Sequence, residues 1–252
     1  MKPATTSPVR AAGSSTPEAT IPAPLDDPLS YPGARPDRSW QLTGDRCAPF
    51  DGPAPEGRHA VLVIGSNACP AQLARKLSGR PCSGDVVGLA VSVRGLTVRP
   101  SAHLGRSGYW PFAPAASLDP AAAGSAALCF LDDDQLPVLD ATEPNYLRMR
   151  LDRSAHAVTA REQLPDGAVW VYVSRHGVVD DPRLPRWTDP APTQHALLSA
   201  LIPLLQLPTA LAEPAALSAA LRQDGDLAEQ LSRKLKDAVR IRSAGLVEDP
   251  AP

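Results

Sequence analysis

Aromatic side chains are scarce in this chain: four tryptophans, four tyrosines and three phenylalanines, 4% of the residues. That excludes a stacking platform for nucleic-acid bases. An excess of charge of one sign is missing too. Lys and Arg total 25 against 27 Asp and Glu, a formal charge of −2, which gives no electrostatic reason for a nucleic-acid partner. No apolar run approaches the roughly 20 residues needed to cross a bilayer. The opening MKPATTSPVR lacks the apolar core of a secretion signal. The expectation is therefore a cytoplasmic protein with no membrane partner. The four cysteines, Cys47, Cys69, Cys82 and Cys129, form no C-x-x-C pair and no zinc-ligand spacing, so they read as free thiols in a reducing compartment with no metal.

What is present is a 43% hydrophobic content, enough for a packed core within 252 residues, and 29 prolines placed unevenly enough to mark boundaries. Residues 1–45 are rich in Pro, Ala, Ser and Thr and read as a disordered tail, with Tyr31 and Trp40 as exceptions. Residues 46–180 read as the folded domain. Residues 181–252 begin with a proline-rich linker and continue as helices, at about 193–207, 215–221 and 226–239, forming a C-terminal appendage. Its basic residues Arg233, Lys234, Lys236, Arg240 and Arg242 read as a solvated face near a helix C-terminus.

The stretch that organises the domain is VLVIGSNACPAQLARKL, Val61 to Leu77. Val61 to Ile64 form a buried strand, Gly65-Ser66-Asn67 break it, and Pro70 starts a helix whose Leu73 and Leu77 share an apolar face, with Arg75 and Lys76 charged. The first turn of such a helix has free backbone N–H groups that favour a carboxylate, a phosphate or a developing oxyanion. Further strands are expected at Val86–Leu96, with Gly88 as a bulge or corner, at Ala126–Leu131, at Asn145–Leu151 and at Ala168–Ser174, with a helix near 132–140. Short strands with only two brief helices make the core α+β, a small mixed β-barrel in one reading.

Two motifs in this order carry a resemblance. Gly65-Ser66-Asn67 after an apolar strand, followed by LDATEPNYLRMRL at 139–151, resembles the γ-glutamylcyclotransferase-like superfamily, whose members carry a Y-G-S turn and an L-D-x-x-E-x-x-Y-x-R segment. The likeness spans about residues 60–175. It implies a mixed barrel, no cofactor, and a small-molecule γ-glutamyl substrate cyclised to 5-oxoproline with release of an amine or amino acid. Glu143 would be the general base and then the general acid. Ile64, Gly65, Ser66, Asn67, Ala68 and Tyr146 would bind substrate, with the 65–68 backbone supplying donors. Asp140 and Arg148 read as structural. The family's tyrosine before the glycine is Ile64 here, which keeps a non-catalytic binding module as the alternative. A third reading is a thiol hydrolase, in which Cys69 at the helix start has a lowered pKa and takes His103 or His176 as its base. His103, with Tyr109 and Trp110, is otherwise a residue of the pocket mouth or of a surface turn. Nothing in the sequence specifies the oligomeric state.

Overall fold

A computed structural model describes residues 22–185 and 192–246. In chain order the strands and helices are β1 (Trp40–Thr43), β2 (Arg46–Pro49), β3 (His59–Val63), α1 (Pro70–Leu77), β4 (Val86–Arg94), β5 (Leu96–Pro100), β6 (Phe112–Ala116), β7 (Ala123–Leu131) and α2 (Gln135–Ala141). They continue with β8 (Tyr146–Arg150), β9 (Val158–Ala160), β10 (Val169–Ser174), β11 (Val178–Val179), α3 (Gln194–Leu204), α4 (Pro214–Gln223), α5 (Gly225–Ala238) and β12 (Ile241–Arg242). The fold is mixed α+β, with five α-helices among the described residues.

The main sheet has eight strands in the order β2-β1-β4-β7-β3-β10-β8, with β9 added to β4. Pairing is antiparallel except between β3 and β10. The two ends of the path are not paired, and no closed barrel is found among the described residues. Gly88 is neither a bulge nor a corner. The ladder between β4 and β7 runs unbroken from Val87↔Phe130 to Arg94↔Ala123. Glycine is required because the Trp40 indole packs onto the strand there, 2.3 Å from where a Cβ would stand.

Alternation along β3 divides the core. Leu62 packs on one face with Leu89, Phe130 and Val171; Val61 and Val63 pack on the other with Trp40, Leu73, Leu77 and Leu139. The second face is where α1 and α2 lie. Burying each of those leucines contributes about 1.5–3 kcal/mol, which fixes the position of α1 on the sheet.

The expected disordered tail does not reach residue 45. Residues 1–21 lie outside the described set, but from Ala23 the chain packs. Tyr31 is 4% exposed, and Trp40 and Leu42 in β1 are buried against β4. The helices are also more than an appendage. Leu197, Leu198, Leu201, Leu217, Leu221, Leu231 and Leu235 share one apolar cluster with Tyr31, Leu104, Trp110 and Phe112. The amide of buried Gln194 fixes this contact. Its Oε1 accepts from the Trp110 N–H at 2.9 Å and its Nε2 donates to the Trp110 carbonyl at 2.9 Å. Part of the expected proline-rich linker, residues 186–191, lies outside the described residues.

Candidate active site

The strand–turn–helix junction forms as the pattern requires. β3 runs into a single 3₁₀ turn at Ser66–Ala68, and α1 begins at Pro70. The Ala68 and Cys69 N–H groups close that turn onto the Gly65 and Ser66 carbonyls, so they are not the free donors expected of the 65–68 backbone. The Ala68 methyl is buried in the core and does not face the cavity described below, which removes Ala68 from the expected binding set.

The second motif meets this turn. Glu143 sits between α2 and β8, its N–H on the Asp140 carbonyl and its own carbonyl taking the Tyr146 N–H. There its side chain reaches Asn67: Nδ2 donates to Glu143 Oε1 at 2.9 Å. Lys76, on α1, donates to the same Oε1 at 2.6 Å and to Asn67 Oδ1 at 2.8 Å. The three side chains form a closed triangle in which each Asn67 atom has one possible role, oxygen to the ammonium and nitrogen to the carboxylate. The ion pair is nearly dry, with side-chain exposures of 7% for Lys76 and 14% for Glu143. Both contacts fall on Oε1, so Oε2 is the carboxylate oxygen that a ligand can use.

The triangle stands in the wall of a cavity of about 1040 Å³. Ile64, Gly65, Ser66, Asn67, Glu143 and Tyr146, six of the seven expected site residues, line it together. Lys76 was missed. On sequence it belongs to the charged face of an amphipathic helix, and the carboxylate that buries it comes from 67 residues further along the chain.

Tyr31 is the other residue that sequence reasoning left aside. Its hydroxyl stands over Gly65, 2.7 Å from where a Cβ would be, so the close approach that glycine permits is made by the protein's own phenol. The Tyr31 oxygen accepts from the Phe112 N–H at 2.9 Å and lies toward the Ser66 amide. The ring stacks on Tyr109 at 4.2 Å between centroids. Tyr146 binds the other backbone group of the same residue, its hydroxyl donating to the Phe112 carbonyl at 2.9 Å. Burial, before any other cause, pushes all three phenols upward, so they are neutral hydrogen-bonding groups.

Asp140 and Arg148, expected to be structural, pair with each other, Nε to Oδ1 at 3.0 Å, and Asp140 also accepts from the Tyr172 hydroxyl at 2.7 Å. Arg148 lies 5.0 Å from the Trp170 ring centre, which fixes the guanidinium from a third side.

The thiol-hydrolase reading fails on geometry. Cys69 is buried, burial raises its thiol instead of lowering it, and it does not line the cavity, whereas His103 and His176 do. His103 is not on a surface turn. It is 4% exposed, and its Nδ1 lies 2.6 Å from Ser101 Oγ, which in turn lies 2.6 Å from Ser174 Oγ. Burial, with His176 and Lys236 beside it, lowers its pKa to about 3. Trp110 lies wholly in the core, not at the pocket mouth.

A second wall of the cavity comes from α5 and the 103–107 loop. Lys236 Nζ lies 3.2 Å from His176 Nδ1, so Nδ1 is the acceptor, and the His176 Nε2–H donates to Asn145 Oδ1 at 3.1 Å. Arg233 and Lys236 are exposed, as expected of a solvated face, and also line the cavity. Arg242 instead pairs with Asp180 at 3.4 Å. All four cysteines are unbridged, no described helix is long and apolar enough to cross a membrane, and no cluster of three metal-ligating side chains occurs among the described residues. Comparison with protein-family models, with curated proteins and with solved structures finds no match.

Proposed function

We propose that this chain is a cyclotransferase of the γ-glutamylcyclotransferase-like type, converting a γ-glutamyl amide to 5-oxoproline and a free amine or amino acid. The observation that carries the reading is the Glu143 carboxylate, hydrogen-bonded to Asn67 of the Gly65-Ser66-Asn67 turn inside one cavity. Asn67 and Glu143, one from each resemblance motif, are 76 residues apart in the chain and meet in the fold.

The chemistry follows from the available oxygen. A substrate α-ammonium next to Glu143 Oε2 gives up a proton to it. The freed amine attacks the substrate's γ-carbonyl carbon and the ring C–N bond forms. Glu143 passes its proton to the departing nitrogen as the amide C–N bond breaks, then takes the second proton from the ring nitrogen and hands it to the released amine, which leaves as its ammonium ion. No atom is left over and no redox partner is required. Lys76 on Oε1 fixes the carboxylate in direction before the proton moves. Its positive charge also opposes a second ammonium nearby, which favours the neutral amine that the attack requires. The buried, neutral phenols of Tyr31, Tyr109 and Tyr146 form a wall of the same cavity. Four unbridged thiols support a reducing compartment, the cytoplasm.

A second reading is favoured by two observations: Ile64 offers no phenol, and one oxygen of Glu143 is fully engaged. In it the site binds an amine-bearing small molecule without turning it over. The deciding experiment incubates the protein and a Glu143→Gln variant with γ-glutamyl dipeptides and γ-glutamyl amines and measures 5-oxoproline. Release by the wild type and its loss in the variant is the expected result. Equal release by both removes Glu143 from the chemistry, and ligand-dependent melting shifts without release move the binding reading to first place.

A further inference from the structure

The carboxylates lining the cavity are already neutralised. Glu143 is held by Lys76, and Glu229 pairs with Arg106. Arg233 and Lys236 line the same cavity and have no carboxylate partner among the described residues. They lie three residues apart on α5, hence on one face of it. Beside them the His103 and His176 rings lie 4.7 Å apart, with Lys236 on His176. His103 has one ring nitrogen committed to Ser101, which leaves Nε2 for a ligand. This pole is tied to the other by Asn145, two residues beyond Glu143, which accepts from His176. Cations lining a cavity that no internal carboxylate neutralises attract an anionic ligand group.

We propose that the α5 wall is the subsite for the leaving half of the substrate, and that this half carries an anionic group, carboxylate or phosphate, held by Arg233, Lys236 and His103 Nε2, with His176 orienting Lys236. The inference rests on the cyclotransferase reading and narrows it: the preferred substrates are γ-glutamyl conjugates of acidic amines, and neutral alkylamine conjugates are poor ones. A role for α5 follows as well. The helix core holds in place a wall that the sheet alone does not supply.

The test uses matched pairs on the full chain. γ-Glutamylalanine and γ-glutamylethylamine differ by one carboxylate, and γ-glutamyl-2-aminoethyl phosphate supplies the phosphate arm. The expected result is a kcat/KM at least about tenfold higher for one or both acidic substrates than for the ethylamine conjugate, the preference collapsing toward unity in R233M/K236M. The charge-conserving R233K/K236R should recover most of it, which a folding defect would not allow. The more favoured acidic arm identifies the anion. Equal kcat/KM for all three in the wild type, or a preference that survives R233M/K236M, overturns the subsite while leaving the cyclotransferase reading in place. If no substrate releases 5-oxoproline, that reading falls, and inorganic phosphate titrated against the imidazole NMR signals decides the subsite alone. Saturable shifts of His103 and His176 that vanish in R233M/K236M sustain it, and unmoved signals reject it.

Discussion

The two walls of the cavity hold their charges in opposite ways. On the α1 wall, Lys76 and Glu143 are almost dry, 2.6 Å apart and bridged by Asn67. On the α5 wall, Arg233 and Lys236 are exposed to the cavity and lack a carboxylate partner among the described residues. A buried pair costs its desolvation whether or not a ligand arrives, so it is built for fixed geometry. Exposed cations cost little to leave waiting and gain most when a counter-ion displaces water. One wall is fixed by its own charges; the other leaves its cations open to a counter-ion.

That contrast breaks most visibly at Glu143. Glu143→Gln keeps the shape and can still accept from Lys76 and Asn67, but it removes the proton acceptor. The expected loss in 5-oxoproline release is about 10²–10⁴-fold, with a melting temperature close to that of the wild type. A comparable loss in both readouts would make Glu143 a structural residue and erase the distinction between the walls.

The lysines supply the next test. Lys76→Met leaves Glu143 in a dry wall without its cation, and urea denaturation should show a stability loss of about 3–5 kcal/mol. Lys236→Met removes a cation that is exposed, and the same measurement should stay within about 0.5 kcal/mol of wild type. Equal costs would mean that the α5 wall is as internally satisfied as the α1 wall.

pH sharpens the comparison from the histidine side. His103 is neutral in the fold, with its pKa at about 3 against an ordinary 6.5, burial being the first cause. The unfolded chain binds that proton between the two values and the native chain does not, so stability falls as pH drops from about 6.5 toward 3. His176 is shifted in the same direction and adds to the slope. His103→Asn should therefore lose less stability than the wild type between pH 7 and about 4.5, measured as the shift in urea midpoint. Identical shifts would show that His103 carries its charge in the folded protein.

Much of this site could be read along the chain. The run from Val61 to Leu77 fixes a strand, a small-residue break and a helix, because β-branching, Gly-Ser-Asn and a proline each act locally. The meeting of Glu143 with that turn was also anticipated from the second motif. Lys76 was not. Its neighbours give it helical periodicity and nothing else, and its burial depends on a carboxylate supplied by the turn before β8. Gly88 was misread because its signal is the same for a bulge as for a close approach. The cause, the Trp40 indole, is 48 residues earlier, in a segment that composition assigned to a disordered tail. Trp40 and Tyr31 are the two large side chains that hold that segment down, and composition averages them away.

Tyr31 allows the smallest and most specific test of that lesson. Its hydroxyl is the acceptor for the Phe112 N–H, whereas Tyr146 is the donor to the Phe112 carbonyl, so the two phenols hold the two backbone groups of one residue. A buried N–H has a single bond to make and is rarely left without a partner, while a carbonyl has two lone pairs and tolerates the loss of one donor better. Tyr31→Phe should thus cost about 1–3 kcal/mol in urea denaturation, and Tyr146→Phe less. The first also loosens the aromatic wall over Gly65, so KM for a γ-glutamyl substrate should rise while the second leaves it nearer to wild type. The reverse order would mean that the Phe112 amide is satisfied elsewhere, and that Tyr31 holds its segment to the domain through its ring, packed on Tyr109 and Phe112, and not through its hydroxyl.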